Sequence, residues 1–410
     1  MNSAATQKPF VAIACGGTGG HLFPGLAVAE QLRQRGCDIA LLISPKDVDQ
    51  AAVKNVQGME IFTLPAVGLQ NRNYFSFAGS FLKSLFAARK IFKQRRPDAV
   101  LAMGGFTSAP PIFVAKDLGV KTFLHESNTI PGRANRLLSR FVDEAFVGFP
   151  EAAARLRAKK ISVTGTPVRP QFCSSGRESA HVPGEDIQSR LTSAATIENC
   201  RMALGLDPNL PAILVVGGSQ GANGLNELIL SALPLLTEKN WQWLHLTGPH
   251  DFEKVKSAYA SRGMKAVVKP FLAGMELALG AATVAVSRAG ASSLAELAAM
   301  RLPTLLVPLP TAADNHQSVN AAAFVKAGAA GLLDQKKSAP EQVAGNLIEL
   351  VENETARAKM QAALAQWHTP NAAEQIAEDI LGAVFRGVGQ KSFSTPPVPA
   401  RDATHLKAVA

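Results

Sequence analysis

Two glycine-rich loops hold the residues best suited to chemistry. Gly16-Gly17-Thr18-Gly19-Gly20-His21 follows the apolar run Phe10 to Cys15, and Gly217-Gly218-Ser219-Gln220-Gly221 follows Ala212 to Val216. Lacking Cβ atoms, such loops let backbone N–H groups approach a phosphate at a helix N-terminus, where the partial positive charge favours anions. Thr18, Gly19 and Gly20 would put N–H donors at a reacting centre. Ser219 would add a hydroxyl, or serve as an ordinary helix N-cap. His21 can titrate near neutrality, which suits a general base; a helix residue that only hydrogen-bonds phosphate is the other reading. A tight strand-to-helix turn explains either loop alone, but a matched pair points to two phosphate cradles facing one cleft.

Two nucleotide-binding alternatives fail on spacing. Counted from Gly17, a GxGxxG pattern needs glycine at Leu22, and the second strand ends at Ser44 without the acidic residue that grips an adenosine ribose. No GxxxxGK[ST] occurs. Asn128 lies just past a strand end, where ligands sit in open α/β sheets. Glu126, two residues earlier, could share acceptor contacts or proton transfer, or be a solvated loop carboxylate. Arg169 could meet a diphosphate with its fork of donors, or lie on the surface. Ser293-Leu294-Ala295-Glu296 has the spacing of a capping box, in which Glu296 would only satisfy backbone N–H groups. Asp47-Val48-Asp49 resembles a metal-binding DxD but follows Ser44-Pro45 at a helix start, so it reads as helix-terminal charge. Neither metal nor cofactor is expected.

These residues need a rigid frame, and the chain repeats one. Apolar runs at Phe10–Cys15, Ile39–Ile43, Ala99–Met103, Thr122–Leu124 and Ala145–Val147 alternate with helical stretches, as in βαβ units on a parallel sheet. The rhythm returns at Ala212–Val216, Trp243–Leu246, Ala266–Val268, Thr283–Val286 and Thr304–Val307. The expected class is α/β, with two Rossmann-like parallel-sheet domains facing a cleft over 1–170 and 201–370. A Ser-, Gly- and charge-rich linker and insertion separates them at 171–200. An amphipathic helix at 371–386, with Ile376, Ile380 and Val384 on one face, precedes a Pro-rich tail at 387–410 that is expected to be disordered.

A chain of 410 residues, 47% apolar and 18% charged, has the makings of about two well-buried domains and lacks the disorder signature. Cys15, Cys37, Cys173 and Cys200 are scattered without zinc-ligand spacing, consistent with a reducing compartment. No signal peptide and no apolar run long enough to span a bilayer is seen, so a soluble, unexported protein is expected. Net charge is +10, yet residues 1–170 hold 22 Lys and Arg against 11 Asp and Glu, and the remainder stands at −1. That basic half predicts an anionic partner: phospholipid, nucleic acid or a phosphorylated substrate. Phe75, Phe77, Phe81, Leu82, Leu85, Phe86, Ile91 and Phe92 lie among Lys83, Arg89, Lys90, Lys93, Arg95 and Arg96. This suits an interfacial helix on anionic lipid; a core helix with a solvated basic face is the alternative.

Six blocks in order carry a family resemblance: GGTGGHLFPGLAVAEQL from Gly16, MGGFTSAP from Met103, HESNTIPGRANR from His125, GTPVR from Gly165, GGSQGA from Gly217 and SRAGASSLAEL from Ser287. Together they resemble the MurG family of peptidoglycan N-acetylglucosaminyltransferases over roughly residues 10 to 385. The resemblance implies a GT-B fold, with acceptor on the N-terminal domain and UDP-N-acetylglucosamine on the C-terminal one. It implies an inverting transfer in which the C4 hydroxyl of the N-acetylmuramic acid of lipid I attacks the sugar's C1, giving lipid II as UDP leaves. It points to His21 as base, Asn128 as donor-sugar ligand and Glu296 as holder of the uridine ribose diol. Ala291, Ser292, Ser293, Leu294 and Ala295 would give backbone contacts, and Leu272 its main chain to the uracil edge. Gln317, in Asn315-His316-Gln317 with Asn320, resembles the family's contact to the sugar hydroxyls. Gly17 and the Gly104-Gly105-Phe106 loop would receive the acceptor diphosphate, although a turn after a strand also explains the latter. The implied location is peripheral, on the cytoplasmic face of the cell membrane, with an anionic membrane surface as partner and no nucleic acid. Ser127 and Thr166 stand where the family often has Gln and Asn, and the 173–200 insertion exceeds its short linker. A transferase adding a UDP sugar to diacylglycerol, or a non-catalytic UDP-sugar-binding membrane protein, would share some of these features.

Overall fold

The computed structural model describes residues 8–54, 56–66, 74–173, 196–218, 221–272 and 274–387. Ser219, residues 174–195 of the insertion and residues 388–410 of the tail lie outside the described residues. The first sheet comprises β1 Phe10–Ala14, β2 Asp38–Ile43, β3 Glu60–Thr63, β4 Ala99–Ala102, β5 Lys121–Glu126, β6 Glu144–Val147 and β7 Lys160–Val163. Every pairing is parallel and the order is β3-β2-β1-β4-β5-β6-β7. The second comprises β8 Ala212–Val216, β9 Gln242–Leu246, β10 Ala266–Lys269, β11 Val284–Ser287, β12 Thr304–Leu306 and β13 Gly331–Leu332, in the order β10-β9-β8-β11-β12-β13.

The central strands are apolar throughout because helices cover both faces. Val11, Ile13, Ile39 and Leu41 pack on one side with Leu22, Val28 and Leu32, while Ala12, Ala14 and Leu42 pack on the other with Ala88, Phe92 and Ile112. The edge strands β3 and β7 are largely exposed and carry charge, so they lack the apolar run that marks a central strand.

Each sheet reverses winding beside its first strand, between β1 and β4 and between β8 and β11, and ligands bind outside the strand C-termini at such switch points. Gly16–His21 follows β1 and Gly104–Phe106 follows β4, so the two loops flank one crevice. Gly217 follows β8 and the Arg288–Ser292 segment follows β11, flanking the other.

The domains are tied where the chain crosses back. Phe149 of the first unit meets Phe324 and Trp367 of the second, with ring centres 6.3 and 5.6 Å away. Beyond Trp367 the helix Ala372–Gly387 returns to the first domain, where Ile376, Ile380 and Val384 join the cluster around Leu22 and Leu32. Arg35 pairs with Glu374 at 2.8 Å on the same contact.

Candidate active site

The helix Gly19–Gln34 starts directly after β1, with Thr18 as an extended cap (φ −156°, ψ 154°) that makes no side-chain cap bond. His21 N and Leu22 N donate back to Thr18 O at 3.0 and 3.1 Å, so the N–H groups of Gly19 and Gly20 stand ahead of the first intrahelical bonds at the helix terminus. Gly17 holds φ +110°, a left-handed value that favours glycine. Its N–H donates to Asp49 Oδ2 at 2.6 Å, and Gly104 N–H donates to Ser108 Oγ at 3.0 Å. Both N–H groups are thus turned inward, so these two glycines shape the loops without donating N–H groups into the crevice. Asp49 is fully buried and also accepts from Ser44, so it braces the loop rather than merely charging a helix end.

The two first-domain loops share His21. A Cβ on Gly104 would lie 2.9 Å from His21 Cε1, and one on Gly105 would lie 3.1 Å from Cδ2, so the imidazole packs on a floor where side chains larger than glycine's would crowd it. His21 Nδ1 is buried without a hydrogen-bond partner. Burial lowers the pKa, against the opposing pulls of the Glu126 carboxylate and of a hydrogen bond to the Met103 backbone, so the ring is neutral at physiological pH. Lys46, not foreseen from sequence, donates to Gly17 O at 2.8 Å and sits 5.3 Å over the Phe106 ring.

Glu126 ends β5 almost fully buried. Its Oε1 accepts from Asn128 N and Nδ2 at 2.8 and 3.0 Å, and its Oε2 accepts from Gly132 N and Asn135 Nδ2 at 2.9 and 2.8 Å. Four donors saturate the carboxylate. Glu126 is therefore neither a solvated loop residue nor free to take a substrate proton; it shapes the 126–135 loop that presents Asn128.

Across the cleft the helix Ala291–Ala299 points its N-terminus at that of Gly19–Gln34, and Ser292 Oγ donates to Gly20 O at 2.9 Å. Two positive helix ends converge there, a natural seat for a diphosphate. Arg169 lies beside them, its guanidinium stacked 4.3 Å from the Phe23 ring centre and 4.9 Å from that of Phe172, with Nε buried and unpartnered. The capping box does not form: the helix begins at Ala291 with Gly290 as cap, which leaves Glu296 in mid-helix. Burial pushes the Glu296 carboxyl up to about 7, with Arg169 opposing and Glu276 reinforcing. Leu294 and Ala291 are buried in the second core, and Ser293 and Ala295 are half-exposed along the same helix. Leu272 packs against that core.

The segment before the helix His316–Lys326 is strained, with Asp314 and Asn315 both left-handed at φ 50° and 54°. Asp314 is held across the cleft by Arg133 at 3.2 Å and Arg136 at 2.6 Å. Gln317 Oε1 accepts from Leu309 N at 2.9 Å, which fixes its side chain. Asn320, grouped from sequence with a sugar contact, instead bonds to Thr129, Asn128 and Ala289. No local pattern signals this, because its partners in the 128–129 loop lie more than 190 residues away.

Residues 11–147 match the glycosyltransferase family 28 N-terminal domain, and residues 212–376 match the glycosyltransferase family 28 C-terminal domain. The chain is 35% identical over 392 residues to the UDP-N-acetylglucosamine--N-acetylmuramyl-(pentapeptide) pyrophosphoryl-undecaprenol N-acetylglucosamine transferase of Anaeromyxobacter sp. (strain Fw109-5), covering 94% of this chain and 96% of that one. The crystal structure of Acinetobacter baumannii MurG superposes with a TM-score of 0.67 at 28% identity, over 91% of this chain and 99% of that one. The UDP-GlcNAc 2-epimerase of Neisseria meningitidis reaches the same TM-score of 0.67 at 14% identity, over 91% of this chain and 100% of that one, and so shares the fold alone. With both domains matched and relatives aligned along nearly their whole length, the chain belongs to the MurG family of glycosyltransferase family 28 and has the GT-B fold.

Proposed function

We infer that the chain transfers N-acetylglucosamine from UDP-N-acetylglucosamine to the C4 hydroxyl of undecaprenyl-diphospho-N-acetylmuramoyl-pentapeptide, converting lipid I to lipid II in peptidoglycan synthesis. The single observation that carries the chemistry is the neutral His21 imidazole, with an unpartnered Nδ1, beside two converging helix N-termini. The acceptor oxygen attacks C1 from the face opposite the leaving group. The C1–O bond to the diphosphate breaks, its electron pair departs with UDP, and the hydroxyl proton passes to His21. The Glu126 carboxylate favours the imidazolium that forms.

Thr18, Gly19 and Gly20, Ser292, Ser219 and Arg169 receive the charge that develops on the diphosphate. Glu296 takes the ribose diol, the Leu272 main chain the uracil edge, the Ala291–Ala295 backbone the rest of the nucleotide, and Asn128 and Gln317 the sugar hydroxyls. Gly17, Gly104, Gly105 and Phe106 shape the acceptor's diphosphate site, where Lys46 adds a cation.

The acceptor is bilayer-bound, so the enzyme must come to the membrane. No helix among the described residues is long and apolar enough to cross one. The helix Tyr74–Gln94 supports peripheral docking on the cytoplasmic face: Leu82 and Phe86 are 52% and 68% exposed and share its outer face with exposed Lys90 and Lys93. Its inner face, Ser84, Ala88 and Phe92, is buried, so only part of the aromatic run is free to meet lipid.

His21→Ala tests the assignment. Turnover with UDP-N-acetylglucosamine and a lipid I analogue should fall about 10²–10⁴-fold while UDP affinity stays nearly intact. Unchanged turnover would remove the base.

A further inference from the structure

Asn320 lies in the helix His316–Lys326, three residues past Gln317, and is fully buried. Its carboxamide bridges the two domains. Oδ1 accepts from Thr129 N at 3.0 Å and Thr129 Oγ1 at 2.7 Å. Nδ2 donates to Asn128 Oδ1 at 3.1 Å and to the Ala289 carbonyl at 3.2 Å. A backbone N–H on one side and a backbone carbonyl on the other determine which end is oxygen.

Both acceptor sites and both N–H groups are spent on protein atoms, which leaves Asn320 nothing to offer a sugar. What it does hold is Asn128. The Asn128 carboxamide is gripped twice, at Nδ2 by Glu126 and at Oδ1 by Asn320, so its remaining N–H and lone pair have a fixed direction. At the other end, Ala289 leads through the Gly290 cap into the helix whose Ser292 meets Gly20. Asn128 and Thr129 belong to the first domain, and Ala289 and Asn320 to the second. The four bonds can coexist only when the domains are closed.

We propose that Asn320 is a positioning residue that couples domain closure to the orientation of the Asn128 carboxamide, so that the donor sugar is held in its reactive pose only once the two domains have met. The proposal rests on the reading of Asn128 as a ligand of the donor sugar.

The test compares Asn320→Ala, Asn320→Asp, Asn128→Ala and the Asn320→Ala/Asn128→Ala double variant in the full chain, with UDP-N-acetylglucosamine and a lipid I analogue. Asn320→Ala should raise the donor KM and lower kcat/KM by about tenfold or more, while affinity for UDP, which lacks the sugar, changes by less than about twofold. Asn320→Asp keeps an oxygen for Thr129 but turns a second one on Asn128 Oδ1 and Ala289 O, so it should resemble Asn320→Ala. The double variant should be no worse than Asn128→Ala alone. Unchanged kcat/KM, losses that simply add, or UDP affinity falling in step with kcat/KM would overturn the proposal. If the wild-type chain does not turn over the lipid I analogue, the functional reading is what fails. The proposal is then read from binding alone, where Asn320→Ala should still weaken UDP-N-acetylglucosamine about tenfold relative to UDP, and an unchanged ratio would overturn it.

Discussion

At residue scale, burial sets the protonation of both key side chains, with opposite results for acid and base. For His21 it disfavours the imidazolium, so the ring is neutral at neutral pH, as the proposed base must be. For Glu296 it disfavours the carboxylate and raises the pKa to about 7, while Arg169 pulls the other way. Ribose hydroxyls donate to an ionised carboxylate, so deprotonation favours donor binding and affinity should rise with pH through about 7. Calorimetry with UDP-N-acetylglucosamine, whose diphosphate diester does not titrate in this range, should show about tenfold tighter binding at pH 8 than at pH 6. Glu296→Gln should bind more weakly and without that slope; a slope that survives the substitution would remove Glu296 from the ribose site.

At the scale of elements, the active site depends on loops brought together by strand order. Gly104 shows the cost of disturbing one: alanine there would meet His21 Cε1 at 2.9 Å and Asn135 Nδ2 at 3.0 Å, at a φ of +108°. Gly104→Ala should therefore lower kcat by one to two orders of magnitude, roughly what a 1 Å misplacement costs. The folded chain and its UDP affinity should persist, as unfolding curves and a UDP titration would report; wild-type kcat would contradict the floor described for His21. The glycine loops and central strands were legible in sequence because a strand buried on both faces must be apolar, as Val11, Ile13 and Leu41 are. β3 and β7 were not, since Glu60 and Lys160 sit on exposed edges. The capping-box spacing of Ser293 and Glu296 misleads for a local reason: Gly290 already caps the helix. The donors to Glu126 all come from its own 128–135 loop, whose path no spacing rule encodes, and the bridging by Asn320 depends on partners more than 190 residues away.

At the scale of the whole molecule, charge is divided unevenly between the two halves. The +11 excess of residues 1–170 lies in the domain that would meet an anionic bilayer and a diphosphate-linked acceptor, and the rest is close to neutral. Liposomes rich in anionic lipid should sediment the protein, less so as salt rises and the Debye length falls below about 10 Å. Phe86→Ser with Leu82→Ser should weaken the salt-resistant part. Absent or salt-independent binding would count against docking through this domain. The most direct test of the central claim is to offer the chain UDP-N-acetylglucosamine with a lipid I analogue in one vessel and diacylglycerol in another, following UDP and product in both. The structure predicts one UDP and one GlcNAc–MurNAc disaccharide per turnover in the first vessel and none in the second, whereas turnover confined to diacylglycerol would contradict it.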